Sequence, residues 1–118
     1  MNKHIALALA LVLSIAAPAA LAHGDAASGK ELAGKTCAAC HNANGISNKG
    51  QDPQPPILAG QYKDYIIQAL HEYKLNQRKG SPMNAMVAPL SEQDIKDLAE
   101  YFSGLPGPLD TIPDGHKH

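Results

Sequence analysis

No tryptophan occurs in the 118 residues, and phenylalanine occurs once, at Phe102. Four tyrosines complete the aromatic set. Small soluble domains ordinarily fill their interiors with several large aromatic side chains. So little bulk, alongside nine prolines and ten glycines, argues against a large all-protein core. It predicts short helices, long loops and a centre filled by something other than polypeptide. Cysteine is also scarce, with only Cys37 and Cys40, which excludes a scaffold held by several disulfides. The formal net charge is only −1, so neither a basic nucleic-acid surface nor an acidic tail is encoded. There is no internal repeat, and no alternating apolar run long enough to argue for a sheet.

One apolar run stands out, and it lies at the start. Lys3 precedes Ile5 to Ala17, a stretch broken only by Ser14 and followed by Pro18 and the small-residue site Ala20-Leu21-Ala22. This is the layout of a secretory signal peptide. The run is shorter than the ~20 apolar residues a membrane-spanning helix needs. Residues 1–22 are therefore expected to be removed, leaving no transmembrane segment. Taking 22 from 118 residues leaves 96, enough for one small domain. Export implies an oxidising compartment, where two exposed thiols would pair or be capped.

Three segments carry helical periodicity. Asp25 to about Thr36 is weak, with Leu32 as its single large apolar residue and Gly29 and Ala33 offering a small face. About Tyr62 to Asn76 is stronger: Tyr62, Tyr65, Ile66, Ala69, Leu70 and Tyr73 form one broad apolar stripe. The third begins at Ser91, which with Asp94 resembles a capping box. It continues through Ile95, Leu98, Ala99 and Phe102, and Gly104 and Pro106 end it. Asn42–Pro56 and Gln77–Leu90 read as irregular loops. Residues 106–118 read as a flexible tail.

Both cysteines fall in Cys37-Ala38-Ala39-Cys40-His41. C-x-x-C-H is the attachment signature of a c-type haem. Two thiols separated by two residues can reach the two vinyl groups of one macrocycle, and the adjacent imidazole can ligate its iron. A thioredoxin-like dithiol would need a strand before the motif. Structural zinc would need a fourth ligand. A plain disulfide would leave His41 without a role. Candidates for a second axial ligand are Met83, Met86, His71, His116 and His118. His71 sits beside the apolar stripe and reads as a boundary residue, and the tail histidines read as solvated. The two loop methionines remain, and ligation chemistry alone does not choose between them.

The ordered set "GKELAGKTCAACH", "PILAGQYKDYIIQAL" and "RKGSPMNAMVAPLSEQDIKDLAEYFSGL" resembles a class I cytochrome c of the small bacterial single-haem kind, over about Asp25 to Leu105. The resemblance implies an all-α cytochrome c fold: three main helices and long loops wrapped around one covalently bound haem, in a domain spanning 23–105. It selects Met83, seven residues before Leu90, as the axial ligand, with Met86 as a packing partner. It implies that the Pro56 carbonyl accepts a hydrogen bond from His41, and that Arg78 meets a haem propionate. Gly29 and Ala33 are expected to cross Leu98 and Tyr101. The small Ala33, where relatives often have a large aromatic, makes that contact smaller.

The function so implied is periplasmic electron transfer. A His41/Met83-ligated haem would cycle between ferrous and ferric states without enzymatic turnover. The protein is expected to be a monomer that docks transiently with redox proteins at the haem edge, near Ala38, Ala39 and Ala43. Two other readings use the same residues. One is a small-ligand sensor or weak peroxidase with a displaceable Met83. The other is a fixed subunit of a larger oxidase or dehydrogenase.

Overall fold

The computed structural model describes residues 23–109. The expected signal peptide, most of the expected tail, and His116 and His118 lie outside the described residues. Within these bounds the chain is helical and has no strands. Its elements are α1 (Ala26–Thr36), α2 (Ala38–His41), α3 (Lys63–Lys74), α4 (Met83–Val87) and α5 (Glu92–Ser103).

Short polar side chains start two of the three main helices. Asp25 Oδ1 accepts from the Ala27 and Ser28 N–H groups at 2.8 and 3.0 Å. Ser91 forms the expected capping box with Asp94: Asp94 N–H donates to Ser91 Oγ at 3.0 Å, and Ser91 N–H to Asp94 Oδ2 at 2.8 Å. These bonds satisfy backbone donors that have no partner within a helix. At the other end of α3, Asn76 turns the chain through a positive φ of 55°, a conformation its short polar side chain tolerates.

The α5 helix is the spine. Ile95, Leu98, Ala99 and Phe102 are all buried at helical spacing. Around them gather Ala33 of α1, Ile66 of α3, Val87 of α4 and Leu90. The crossing of α1 on α5 is very close. A Cβ added to Gly29 would lie 2.0 Å from the Asp97 carbonyl oxygen and 2.9 Å from Tyr101 Cβ. Only a residue without a side chain permits that approach. The buried Asp97 carboxylate ties the two helices, accepting from the Asp25 N–H at 2.7 Å and from Gln93 Nε2 at 2.8 Å.

The stripe on α3 is narrower than its sequence suggests. Ile66 alone is fully buried; Ile67, Leu70 and Tyr73 are half-buried against the core, while Tyr65 is exposed. The loop 77–90 contains α4, a helix too short for periodicity to reveal. Met83 and Val87, four apart, pack on the core cluster, and Met86 is 45% exposed.

Candidate functional site

Cys37 is the hinge between α1 and α2. Its N–H still bonds to Ala33 O at 2.9 Å, while its carbonyl accepts from the Cys40 and His41 N–H groups at 3.2 and 3.0 Å. That single helical turn sets Cys37, Cys40 and His41 at i, i+3 and i+4, neighbouring positions on one side of a helix. Burial grades along the turn: Cys40 is exposed, Cys37 half-buried and His41 buried. The thiols are not joined to each other. Burial pushes the Cys37 thiol up, and the Thr36 hydroxyl 3.4 Å from its sulfur opposes this.

His41 Nδ1 lies 2.9 Å from the Pro56 carbonyl oxygen. A carbonyl can only accept, so Nδ1 carries the proton and the lone pair lies on Nε2. Burial holds the imidazole below its ordinary pKa, with the bond to Pro56 working the other way. The ring is therefore neutral at neutral pH, the form that can ligate a metal. The long loop exists to deliver that carbonyl. Ser47 Oγ also donates to Pro56 O, at 2.6 Å. Asn48 closes the end of α2, its backbone N–H donating to Cys40 O at 3.2 Å and its side chain to Ala39 O at 3.0 Å. Gly45, at φ 69°, turns the loop against α5, where an added Cβ would meet Ala59 N at 2.9 Å and Phe102 at 3.1 Å. Ser47 and Asn48 escaped the sequence reading because their partners are set by the loop's path rather than by a fixed spacing.

The remaining candidates separate by position. Met83 is half-buried on the same core cluster as Cys37, whereas Met86 is 45% exposed. His71 is on the surface, its Nε2 2.6 Å from Glu92 Oε2 across α3 and α5. Arg78 lies over the rings of Tyr65 and Tyr73 at 5.8 and 5.5 Å, and its Nε donates to Glu72. Tyr65, Glu72 and Tyr73 all hold its guanidinium in the charged state. Among the described residues, no cluster of three His, Cys, Asp or Glu side chains could hold a metal ion.

The family model for cytochrome c matches residues 26–106. The chain belongs to the cytochrome c family. Cytochrome c4 of Pseudomonas aeruginosa is 39% identical over 105 residues, covering 87% of this chain and 48% of that protein. Cytochrome c-554(548) of Halomonas halodenitrificans is 41% identical over 83 residues, covering 68% of this chain and 95% of its own. The solved cytochrome c4 of Acidithiobacillus ferrooxidans superposes with a TM-score of 0.64 at 30% identity, over 70% of this chain and 51% of that one. This cytochrome thus spans about half the length of the c4 relatives it matches. Its all-α fold is the cytochrome c fold, and the family's cofactor is a covalently bound c-type haem.

The residues present fit that group. Two unpaired thiols stand one helical turn apart beside a neutral, buried imidazole whose proton is already placed. Leu58, Ile67, Leu70, Tyr73 and Met83, like Cys37, are partly buried apolar side chains packed against the one core cluster. An apolar fringe with sulfur and nitrogen donors suits a macrocycle bearing iron. Among the described residues no helix is long and apolar enough to cross a membrane.

Proposed function

We propose that this cytochrome is a periplasmic, monomeric carrier of single electrons and not an enzyme. Cys37 and Cys40 would hold one haem c, and His41 and Met83 would be its axial ligands. When bound, the haem supplies a one-electron ferrous/ferric couple. The observation that carries the reading is the hydrogen bond from His41 Nδ1 to Pro56 O at 2.9 Å within a C-x-x-C-H turn. That bond fixes the ring's orientation, commits Nε2 to ligation and raises the ring's basicity.

Met83 is favoured over Met86 by its place on the core cluster. With His41 and Met83 both holding the iron, no place would remain for a substrate, and reorganisation would be small. Ligation by the Met83 thioether and the His41 imidazole would raise the potential of the haem. Arg78 keeps guanidinium donors beyond those engaged by Glu72 and Tyr65, and these would serve a haem propionate. Exposed Ala39, Ala43 and Cys40 would form the thin cover through which electrons leave, against partners making small, transient contacts. Removal of residues 1–22 on export would leave the domain 23–105 and a tail from 106. The names of the relatives agree with a carrier. They include a thiosulfate dehydrogenase electron acceptor from Thiomonas intermedia, 34% identical to this chain.

The test is a redox titration of the purified exported protein, followed by absorption, with carbon monoxide added to the ferrous form. A low-spin haem with one reversible one-electron wave and poor carbon monoxide binding at neutral pH is expected. Rapid, tight binding would instead assign a ligand sensor or weak peroxidase.

A further inference from the structure

The segment that carries Met83 has little structure of its own. The α4 helix has five residues, far fewer than the ~12–15 an isolated helix needs to persist in water. It follows the loop 75–82, in which Leu75, Asn76, Gln77, Lys79 and Gly80 are all exposed. Something must fix it to the rest of the molecule, and the polar contacts converge on one side chain. Asn84 Nδ2 donates to Tyr73 O at 2.9 Å and to Arg78 O at 2.6 Å. Asn84 Oδ1 accepts from Ser81 N–H at 3.3 Å, and Asn84 N–H returns a bond to Ser81 O at 3.1 Å. Met83 N–H donates to Ser81 Oγ at 3.2 Å.

One half-buried carboxamide therefore joins the last turn of α3, the middle of the loop and the start of α4. Asn84 Nδ2 thus faces two backbone carbonyls from separate stretches of chain, and the Tyr73 carbonyl also accepts from the Asn76 N–H at 3.1 Å. The amide orientation is settled by those carbonyls, since only a donor can face two acceptors. Asn84 is also the neighbour of Met83 in the chain, so any swing of this residue moves the methionine.

We infer that Asn84 is a positioning residue that locks Met83 onto the iron, and so decides whether this protein behaves as a closed carrier or opens its iron to outside ligands. The inference rests on the proposed Met83 ligation. In the closed state the sulfur competes with external ligands from a fixed place. When the Asn84 bonds are lost, the start of α4 loosens from α3 and its loop, and the thioether leaves the iron more often while Val87 and the α1–α5 frame stay packed. An external nitrogen ligand then finds the sixth position free for a larger fraction of the time, and its apparent affinity rises by that factor.

The experiment uses the haem-loaded exported protein and imidazole as the probe. Imidazole affinity of the ferric form is measured for Asn84→Ala, Asn84→Ser, Met83→Ala and Gly29→Ala, with the sulfur–iron charge-transfer band recorded for each. Two hydrogen bonds of ordinary net worth correspond to roughly 10- to 100-fold tighter imidazole binding in Asn84→Ala. Asn84→Ser retains one donor and should fall between that and the parent, and it supplies the answer if the alanine variant does not accumulate. Gly29→Ala destabilises the distant helix crossing and should leave imidazole binding within about twofold, which separates positioning from general loss of stability. Parental imidazole affinity in the Asn84 variants, with the band lost in Met83→Ala, would overturn this inference alone. An equal rise in Gly29→Ala would also overturn it. A band that survives in Met83→Ala would remove the ligand assignment beneath it.

Discussion

At the scale of single residues, the proposed ligation by a methionine is the sharpest question, because two thioethers stand three residues apart on one short helix. Their environments differ: Met83 packs on the core and Met86 is 45% exposed. Replacing Met83 with alanine should therefore abolish the sulfur–iron charge-transfer band of the ferric form, and Met86→Ala should keep it. The reverse outcome in the absorption spectrum would transfer the role to Met86. Arg78 makes a second prediction at this scale. Its charge, held by Tyr65, Glu72 and Tyr73, favours the reduced, more electron-rich state of a nearby centre. Arg78→Gln should lower the midpoint potential by an amount on the order of tens of millivolts; an unchanged titration curve would detach Arg78 from the haem. Cys37, Cys40 and His41 were legible in the sequence because a single turn of chain carries all three. Ser47, Asn48 and Asn84 were not, since an isolated serine or asparagine in a polar loop carries no spacing that announces its partner.

At the scale of elements, the crossing of α1 and α5 sets the frame. Its closeness depends on Gly29, whose pro-Cβ direction meets the Asp97 carbonyl at 2.0 Å. Alanine there gains up to about 1 kcal/mol of helix propensity but must push apart two backbones that cannot yield like a flexible side chain. Overpacking of this kind costs about 1–3 kcal/mol, and rigid backbone contact puts it toward the upper end. Gly29→Ala should therefore destabilise by about 1–2 kcal/mol, lowering the thermal midpoint by roughly 4–15 °C as followed by circular dichroism. An unchanged or raised midpoint would mean that the helices separate freely. The three main helices were readable from caps and periodicity; α2 and α4 were not, because four or five residues hold too few turns to show a period. The exposure of Tyr65 was hidden for a related reason: periodicity marks a side of a helix, but only the neighbours decide how wide a stripe is covered.

For the whole molecule, the composition and the packing agree. Among the described residues the buried hydrophobic set is small, with Ile66, Val87, Leu90, Ile95, Leu98 and Phe102 as its large members. Much of the apolar surface of α3 and α4 is half-covered. Ordering each residue costs about 1–2 kcal/mol of backbone entropy, and so small a core offsets little of it. The chain made without haem attachment should accordingly show no cooperative thermal transition, whereas the haem-loaded protein should melt in one step. A cooperative melt of the haem-free chain would show that polypeptide packing alone suffices.

The attachment turn, the three main helices and the family were set by the sequence alone, because each rests on residues close together in the chain or repeating at a helical period. Tertiary structure decided the rest: that the Pro56 carbonyl reaches the His41 ring, that Met83 packs on the core while Met86 is 45% exposed, and that Asn84 gathers α3, its loop and α4 around one amide. These are contacts between distant stretches of chain. Their partners are chosen by the path of loops whose own residues carry no periodic signal.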